Sequence, residues 1–279
     1  MEKNTSELKI VTNLREKILT EFSGLTFIEE GHKYFLNGVQ LPSVSEVVHH
    51  FKPPFNEEEV AQNYAMKNGE TAQYWLDKWH FNNLRATKTG TAVHAYGESL
   101  GWLRNGHPEL ITEDKKQYYI KDKDWLIPTR PKEEAILKFY DEKDENLHFV
   151  LAETKVYSNK GEASTVKQPF CGTFDLLMYY DNPKKGGKSG LVILDYKTNK
   201  ELRSDYSRNF GKMMLPPFNE MYDESLSTYV MQLSLYAMCL RGIGLDVIGL
   251  RIIWLKEDGT YELIPIKDLS REKWFIEAF

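Results

Sequence analysis

Apolar residues recur at helical spacing over residues 7–22 (ELKIVTNLREKILTEF), which predicts a helix. The stretch that follows, FIEEGHKYFLNGVQLPSVSEVV, brackets Asn37-Gly38 with apolar runs. It predicts a β-hairpin with a type I′ turn, then a helix entered through Ser43 or Ser45. Residues 57–84, rich in Trp and Tyr, read as a helix. So does TKTGTAVHAYGESLGWLRNG, with Gly90 at its entry and Asn105-Gly106 at its exit. Pro108, Pro128 and Pro131 mark 107–131 as an irregular insertion before a helix at 132–146. Three strands follow, HFVLAETKVYS, CGTFDLLMYY and LVILDYKTN. A polar connection through Gly161 joins the first two, and the Gly-rich turn DNPKKGGKSG makes a hairpin of the last two. Residues 199–224, with Pro216-Pro217 inside, predict a mobile loop or partly helical excursion. STYVMQLSLYAMCLRG reads as a helix ended by Gly242, and VIGLRIIWLKEDGTYELIPI as a hairpin turning at Asp258-Gly259. A helical first half followed by β-β-β-α-β-β predicts an α/β fold with a mixed central sheet. The expected division is a helical extension at 1–24 and one domain at 25–279, with insertions near 107–131 and 199–224.

Composition narrows the class. With 279 residues, 41% hydrophobic and 28% charged, the chain has the apolar content of an ordinary globular protein. A net charge of -5 excludes a small, strongly basic nucleic-acid module but leaves room for an enzyme with a local basic groove. Cys171 and Cys239 are too few for a disulfide framework, a structural zinc site of four thiolates or an iron-sulfur cluster. They read as buried thiols in a reducing compartment. Residues 1–20 lack the apolar core of a secretory signal, and no run approaches the ~20 apolar residues of a membrane span. A cytoplasmic, non-membrane protein is expected.

The chemistry concentrates in Leu194-Asp195-Tyr196-Lys197. Side chains alternate along a strand, so Asp195 and Lys197 share one face while Leu194 and Tyr196 share the other. Asp175, flanked by Phe174 and Leu176 on the preceding strand, reaches the same face if the hairpin register allows. Two carboxylates facing each other in an apolar β-run repel unless a cation joins them. Carboxylate oxygens with water suit Mg²⁺ or Mn²⁺. Lys197 beside such a metal would hold a phosphate, stabilise its transition state or help deprotonate the attacking water. An exposed edge-strand charge pair is the competing reading of D-x-K.

The order Gly90-Thr91-x-x-His94-x-x-x-Glu98, Glu153, Gly172-x-x-Asp175, Asp195-x-Lys197 and Gln232-x-x-x-Tyr236 resembles the RecB-like exonuclease branch of the PD-(D/E)XK nuclease superfamily. HKYFLNGVQLPSVSEVV, DYKTNK and YVMQLSLYAM are most similar to its phage-encoded and mitochondrial genome-maintenance exonucleases, and the resemblance spans roughly residues 32–266. It implies a restriction-endonuclease-like core that hydrolyses DNA, single-stranded or at duplex ends, in recombination, repair or replication, and, if phage-encoded, in the host cytoplasm. It further implies that His94, Asp175, Asp195 and the backbone carbonyl of Tyr196 ligate Mg²⁺ or Mn²⁺. Lys197 would be the catalytic lysine, Glu153 would orient it or a water, and Gln232 with Tyr236 would lie beside the site. Many relatives carry a four-cysteine iron-sulfur clasp that two cysteines cannot build, so no cluster is expected.

Several features keep alternatives open. Tyr236 also reads as a core tyrosine with Gln232 at its rim, Glu98 is a candidate only, and His49-His50 point in diverging directions at a solvated helix end. Trp75, Trp79, Tyr118, Tyr119 and Trp125 would stack bases or fill the core. Lys200, Arg203, Arg208 and Lys212 would follow a DNA backbone or simply be solvated. The competing functions are a catalytically silent nucleic-acid- or protein-binding module and an amine-chemistry enzyme using Lys197 as Schiff-base nucleophile.

Overall fold

A computed structural model describes residues 8–28, 30–111, 120–122, 125–127, 129–158 and 166–279. Gly161, Tyr118 and Tyr119 lie outside the described residues, as does the side chain of Trp125.

The first helix, α1 (Lys9–Glu21), leads into a three-stranded antiparallel sheet of β1 (Leu25–Ile28), β2 (Lys33–Leu36) and β3 (Val39–Leu41). Asn37 and Gly38 turn β2 into β3 with φ of 51° and 82°, the left-handed pair a type I′ turn requires. α2 (Val44–His49) is entered at Ser43, whose hydroxyl accepts from Glu46 N while the Glu46 side chain accepts from Ser43 N, a reciprocal cap. α3 (Glu57–Asn68) stops at Gly69 in the left-handed conformation, and α4 (Ala72–Arg104) starts from a Thr71 cap.

Here the structure corrects two expectations. The helix expected through 84 is broken at Gly69, and α4 then runs through Gly90 without a stop. One glycine in a helix costs only about 1 kcal/mol. The buried face from Val93 to Trp102 holds the second half of α4 against the sheet and outweighs that cost. The described residues of the expected insertion include a 3₁₀ turn (Pro108–Leu110) and the paired strands β4 (Ile120–Asp122) and β5 (Trp125–Ile127). α5 (Arg130–Glu142) begins and ends earlier than read, with Pro131 in its first turn, where a missing N–H costs nothing.

The central sheet comprises β6 (Leu147–Tyr157), β7 (Cys171–Tyr180), β8 (Gly190–Lys197), β9 (Val247–Leu255) and β10 (Tyr261–Ile266) in the order 10-9-8-7-6. β8 and β9 are parallel and the other neighbours antiparallel, so the sheet is mixed and the chain is an α/β protein. The parallel pair is bridged by a crossover through α6 (Asp205–Asn209) and α7 (Ser225–Gly242), as parallel strands demand. α7 ends at Gly242, as read, and Gly244, two residues further on, takes the left-handed φ of 75° that closes the helix end. The β9–β10 turn likewise takes only Gly259 into positive φ.

Helices cover both faces of the sheet. Tyr196 meets Gly97 of α4, whereas its neighbour Lys197 lies over Tyr229 of α7, so the alternation along β8 sends successive side chains to opposite layers. The core is one continuous cluster that includes Val11 and Ile18 of α1 as well as Phe275 of α8 (Lys273–Ala278). Arg15 Nε donates to Val150 O at 2.8 Å, pinning α1 to β6. Among the described residues no helix is long and apolar enough to cross a membrane.

Candidate metal centre

Three acidic residues occupy one line across three adjacent strands. β6 pairs Ala152 with Leu176 and Thr154 with Phe174, which brackets Glu153 opposite Asp175. β7 pairs Leu176 with Leu194 as the last pair of that ladder, and just beyond it Asp175 and Asp195 come close enough for their charges to interact. This is the register that the sequence left open. The β7–β8 ladder ends at that step, where Tyr196 N donates to the Asp175 carboxylate at 2.8 Å. Directly opposed like charges destabilise a sheet. Asp175 and Asp195 are nevertheless buried, and Glu153 sits at φ 45°, a left-handed conformation that is uncommon for a non-glycine residue and rarer in a strand.

His94 enters from α4. Its Nδ1 lies 3.3 Å from Asp175 Oδ2 and 3.9 Å from Glu153 Oε1. Ligand atoms of His94, Glu153 and Asp175 all lie within 4.8 Å of one another, so this group could hold a metal ion. Ligands of one octahedral cation at about 2.1 Å are separated by roughly 3.0 Å when adjacent and 4.2 Å when opposite, so little rearrangement is needed. Asp195 stands beside this trio and is ion-paired with Lys197, while its buried Oδ2 lacks a well-aligned hydrogen bond. The structure thus groups Glu153 with the imidazole and Asp175, in the place where the sequence put Asp195.

Electrostatics show how the acids coexist. Burial works against the His94 imidazolium, but Asp175 and then Glu153 raise its pKa to about 9. Burial also opposes ionisation of Asp175, yet His94, Lys197 and the Tyr196 N–H hold its pKa below the usual carboxylate range. Asp195 goes the other way, raised by burial and by the Asp175 charge against the pull of Lys197. Lys197 is held in its ammonium form by Asp195 and Asp175 despite burial. Lys197 and the His94 imidazolium therefore partly neutralise three carboxylates; a divalent ion that displaced the imidazolium proton and took His94 as a neutral ligand would balance the group together with Lys197.

Supporting residues fix these positions. A Cβ on Gly97 would lie 2.7 Å from the Tyr196 ring, so the glycine one turn after His94 lets α4 sit close on β8. Tyr196 is buried, with its hydroxyl 3.4 Å from that of Tyr140. Gln232 Nε2 donates to Tyr236 OH at 3.2 Å, and both residues line a cavity that also contains Glu153. Tyr236 is itself buried, its ring against Gly172, so it serves packing and cavity wall together. Glu98 is buried and lines a second cavity beside Glu153, outside the metal-binding trio.

Sequence reasoning missed Tyr229. Its ring lies 4.4 Å from Lys197 Nζ and its hydroxyl donates to Asn199 Oδ1 at 2.6 Å. The i−3 spacing from Gln232 was the available signal. Other expected contacts are otherwise engaged. Trp75 and Trp79 pack with Tyr64 between α3 and α4, at centroid distances of 5.2 and 5.5 Å from it. Arg208 makes a two-pronged ion pair with Glu224, and Glu224 also accepts from Ser204 N. These bonds tie residues 199–224 into a folded, partly helical excursion. Lys200, Arg203 and Lys212 are exposed, and the Lys200 side lines a cleft of about 760 Å³ with Arg85. His49 and His50 are exposed at the end of α2.

Comparison with models of known protein families and with curated protein sequences returns no match.

Proposed function

We propose that this protein is a divalent-metal-dependent deoxyribonuclease that hydrolyses phosphodiester bonds, most simply from DNA ends, on a restriction-endonuclease-like core. The observation that carries the reading is the line Glu153, Asp175 and Asp195 across three strands, met by His94 and Lys197. A purely structural ion cluster has no need of three converging acids and a left-handed glutamate. The order of these residues along the chain, and their resemblance to the PD-(D/E)XK pattern, support the same reading.

Oxygen-rich donors with one imidazole suit Mg²⁺ or Mn²⁺. His94, Asp175 and Glu153 would hold the ion, with Asp195 and the Tyr196 carbonyl adjoining. Bound there, the ion supplies Lewis-acid activation of phosphate and water. The chain's own groups do the rest. Lys197, presented as an ammonium and braced by Asp195 and Tyr229, neutralises charge developing on non-bridging phosphate oxygens. Glu153 reaches both the metal-binding trio and the adjoining cavity, which positions its carboxylate to orient an attacking water and accept its proton.

The test is hydrolysis of DNA labelled at either end, in Mg²⁺, Mn²⁺ or EDTA. Expected are metal-dependent release of mononucleotides from an end and a loss of about 10²-fold or more in Lys197→Ala and Asp175→Ala. Hydrolysis that survives both substitutions sinks the assignment. Tight DNA binding without hydrolysis in either metal would instead identify a silent binding module.

A further inference from the structure

Beside Glu153 lies an open cavity of about 510 Å³, inside the ~300–1,000 Å³ range of small-molecule sites. Its remaining lining draws on groups that the hydrolytic reading leaves unused: Phe27 of β1, His32 in the turn before β2, Tyr34 of β2 and Lys155 of β6. The three rings form one cluster, with centroids 4.8 Å apart for Phe27–His32, 4.7 Å for Phe27–Tyr34 and 5.7 Å for His32–Tyr34. Tyr34 is anchored by burial and by a 3.2 Å contact between its hydroxyl and Thr173 Oγ1. His32 is exposed and sits at φ 52°. The Gln232 side chain, also in the lining, makes one hydrogen bond among the described residues, through Nε2, which leaves its amide oxygen to face a ligand.

We propose that this cavity seats the base of the nucleotide adjoining the hydrolysed phosphate, stacked on the His32–Phe27 wall. The inference rests on the nuclease reading and extends it from backbone chemistry to base binding. Sharing Glu153 with the metal-binding trio places any occupant next to the phosphate site. Aromatic rings accept the π-face of every base, which gives affinity without sequence preference. The Gln232 amide adds a group able to bond a base edge, and Lys155 adds positive charge for the flanking phosphate.

The experiment follows a trinucleotide carrying 2-aminopurine at its end, whose emission is quenched by stacking. It is bound in Ca²⁺ to the wild-type chain, His32→Ala and His32→Phe, and its hydrolysis in Mg²⁺ is recorded separately. The expected result is quenching by the wild type, lost quenching with roughly 5- to 150-fold weaker binding in His32→Ala, and recovery in His32→Phe. His32 is exposed but sits at φ 52°, so thermal melts of both variants are recorded to show that the fold is kept. Equal affinity and equal quenching in wild type and His32→Ala overturn the base site while leaving the nuclease reading intact. Absence of binding to either chain also overturns it. Quenching that depends on His32, without hydrolysis by the wild type, keeps the base site and removes the nuclease reading.

Discussion

Gly97→Ala tests whether α4 positions the metal centre. An ideal Cβ at this position lies 2.7, 2.9 and 3.3 Å from Tyr196 ring carbons. Carbon atoms in contact prefer about 3.5–4.0 Å, so helix and ring must separate by roughly 1 Å. The ring has little freedom to yield, being buried, set against the Tyr140 hydroxyl and 6.1 Å from the His94 ring. Two terms oppose each other in stability. Alanine gains about 1 kcal/mol of helix propensity over glycine, and overpacking costs ~1–3 kcal/mol. The net is a loss of about 0–2 kcal/mol, or a few degrees in Tm. Position is affected more than stability, because His94 lies one helical turn away and a ~1 Å misplacement costs up to about 100-fold in a reaction. Mn²⁺ titration calorimetry and thermal melts of the metal-free chain read the two effects separately. Expected is Mn²⁺ affinity weakened by tenfold or more with only a modest fall in Tm. Gly101→Ala is the control, since its Cβ meets Phe149 and Tyr140 at 2.7 Å but lies two turns from His94. It loses stability with less loss of metal. A Gly97→Ala chain that melts higher and binds Mn²⁺ as tightly as the wild type refutes the reasoning.

Two further outcomes follow from the same geometry. Glu153→Gly removes a left-handed strain of ~1–2 kcal/mol and one of three repelling acids, against a cost of ~0.5–1 kcal/mol for glycine in a strand. Melts with and without Mn²⁺ should show a metal-free chain at least as stable as the wild type and a smaller rise in Tm on adding metal; a fall in stability under both conditions contradicts this. Glu224→Gln removes the charge and one of the two acceptors from the bonds to Arg208 and Ser204 N and, with the guanidinium exposed to solvent, should cost about 0.5–1.5 kcal/mol at neutral pH. Burial opposes the Glu224 carboxylate, but those partners hold its pKa below the unfolded value. Its contribution is therefore complete above the unfolded carboxylate range and lost as pH falls through the lowered folded pKa. Urea denaturation should show wild type and variant diverging at pH 7 and converging in acid; a constant gap across that range would be evidence against it.

Local elements were legible wherever short-range chemistry dictates them. Asn37-Gly38, the Ser43 cap and the apolar runs of β6, β7 and β8 each act through neighbours in sequence. What remained hidden depends on partners far along the chain. Gly90 reads locally as a break and is carried by packing that begins at Val93. The α/β class and mixed sheet followed from element order, yet the alignment of Glu153 with Asp175 and Asp195 depends on register, which no single strand specifies. Glu153 illustrates the limit best. Its neighbours Ala152 and Thr154 read as ordinary strand, and only the assembled sheet shows its backbone in the left-handed region. Arg208 shows the converse, a surface charge by composition that the fold commits to Glu224.

The position of the acid line explains why the sheet tolerates it. Inside a continuous ladder, Asp175 and Asp195 would be forced together with every N–H already taken. Pairing of β7 with β8 instead stops after Leu176 and Leu194, and the Tyr196 N–H turns to the Asp175 carboxylate. That bond stabilises the ionised form of one acid, and Lys197 takes the other. His94 arrives from a separate layer on a helix held close by Gly97. Strain and repulsion are thereby confined to one step of one ladder, while Phe139, Phe174 and Leu177 beyond it are fully buried. A site arranged in this way binds a divalent cation more tightly the more carboxylates it keeps ionised. Loss of a single acid should consequently weaken metal binding more than it harms the metal-free fold.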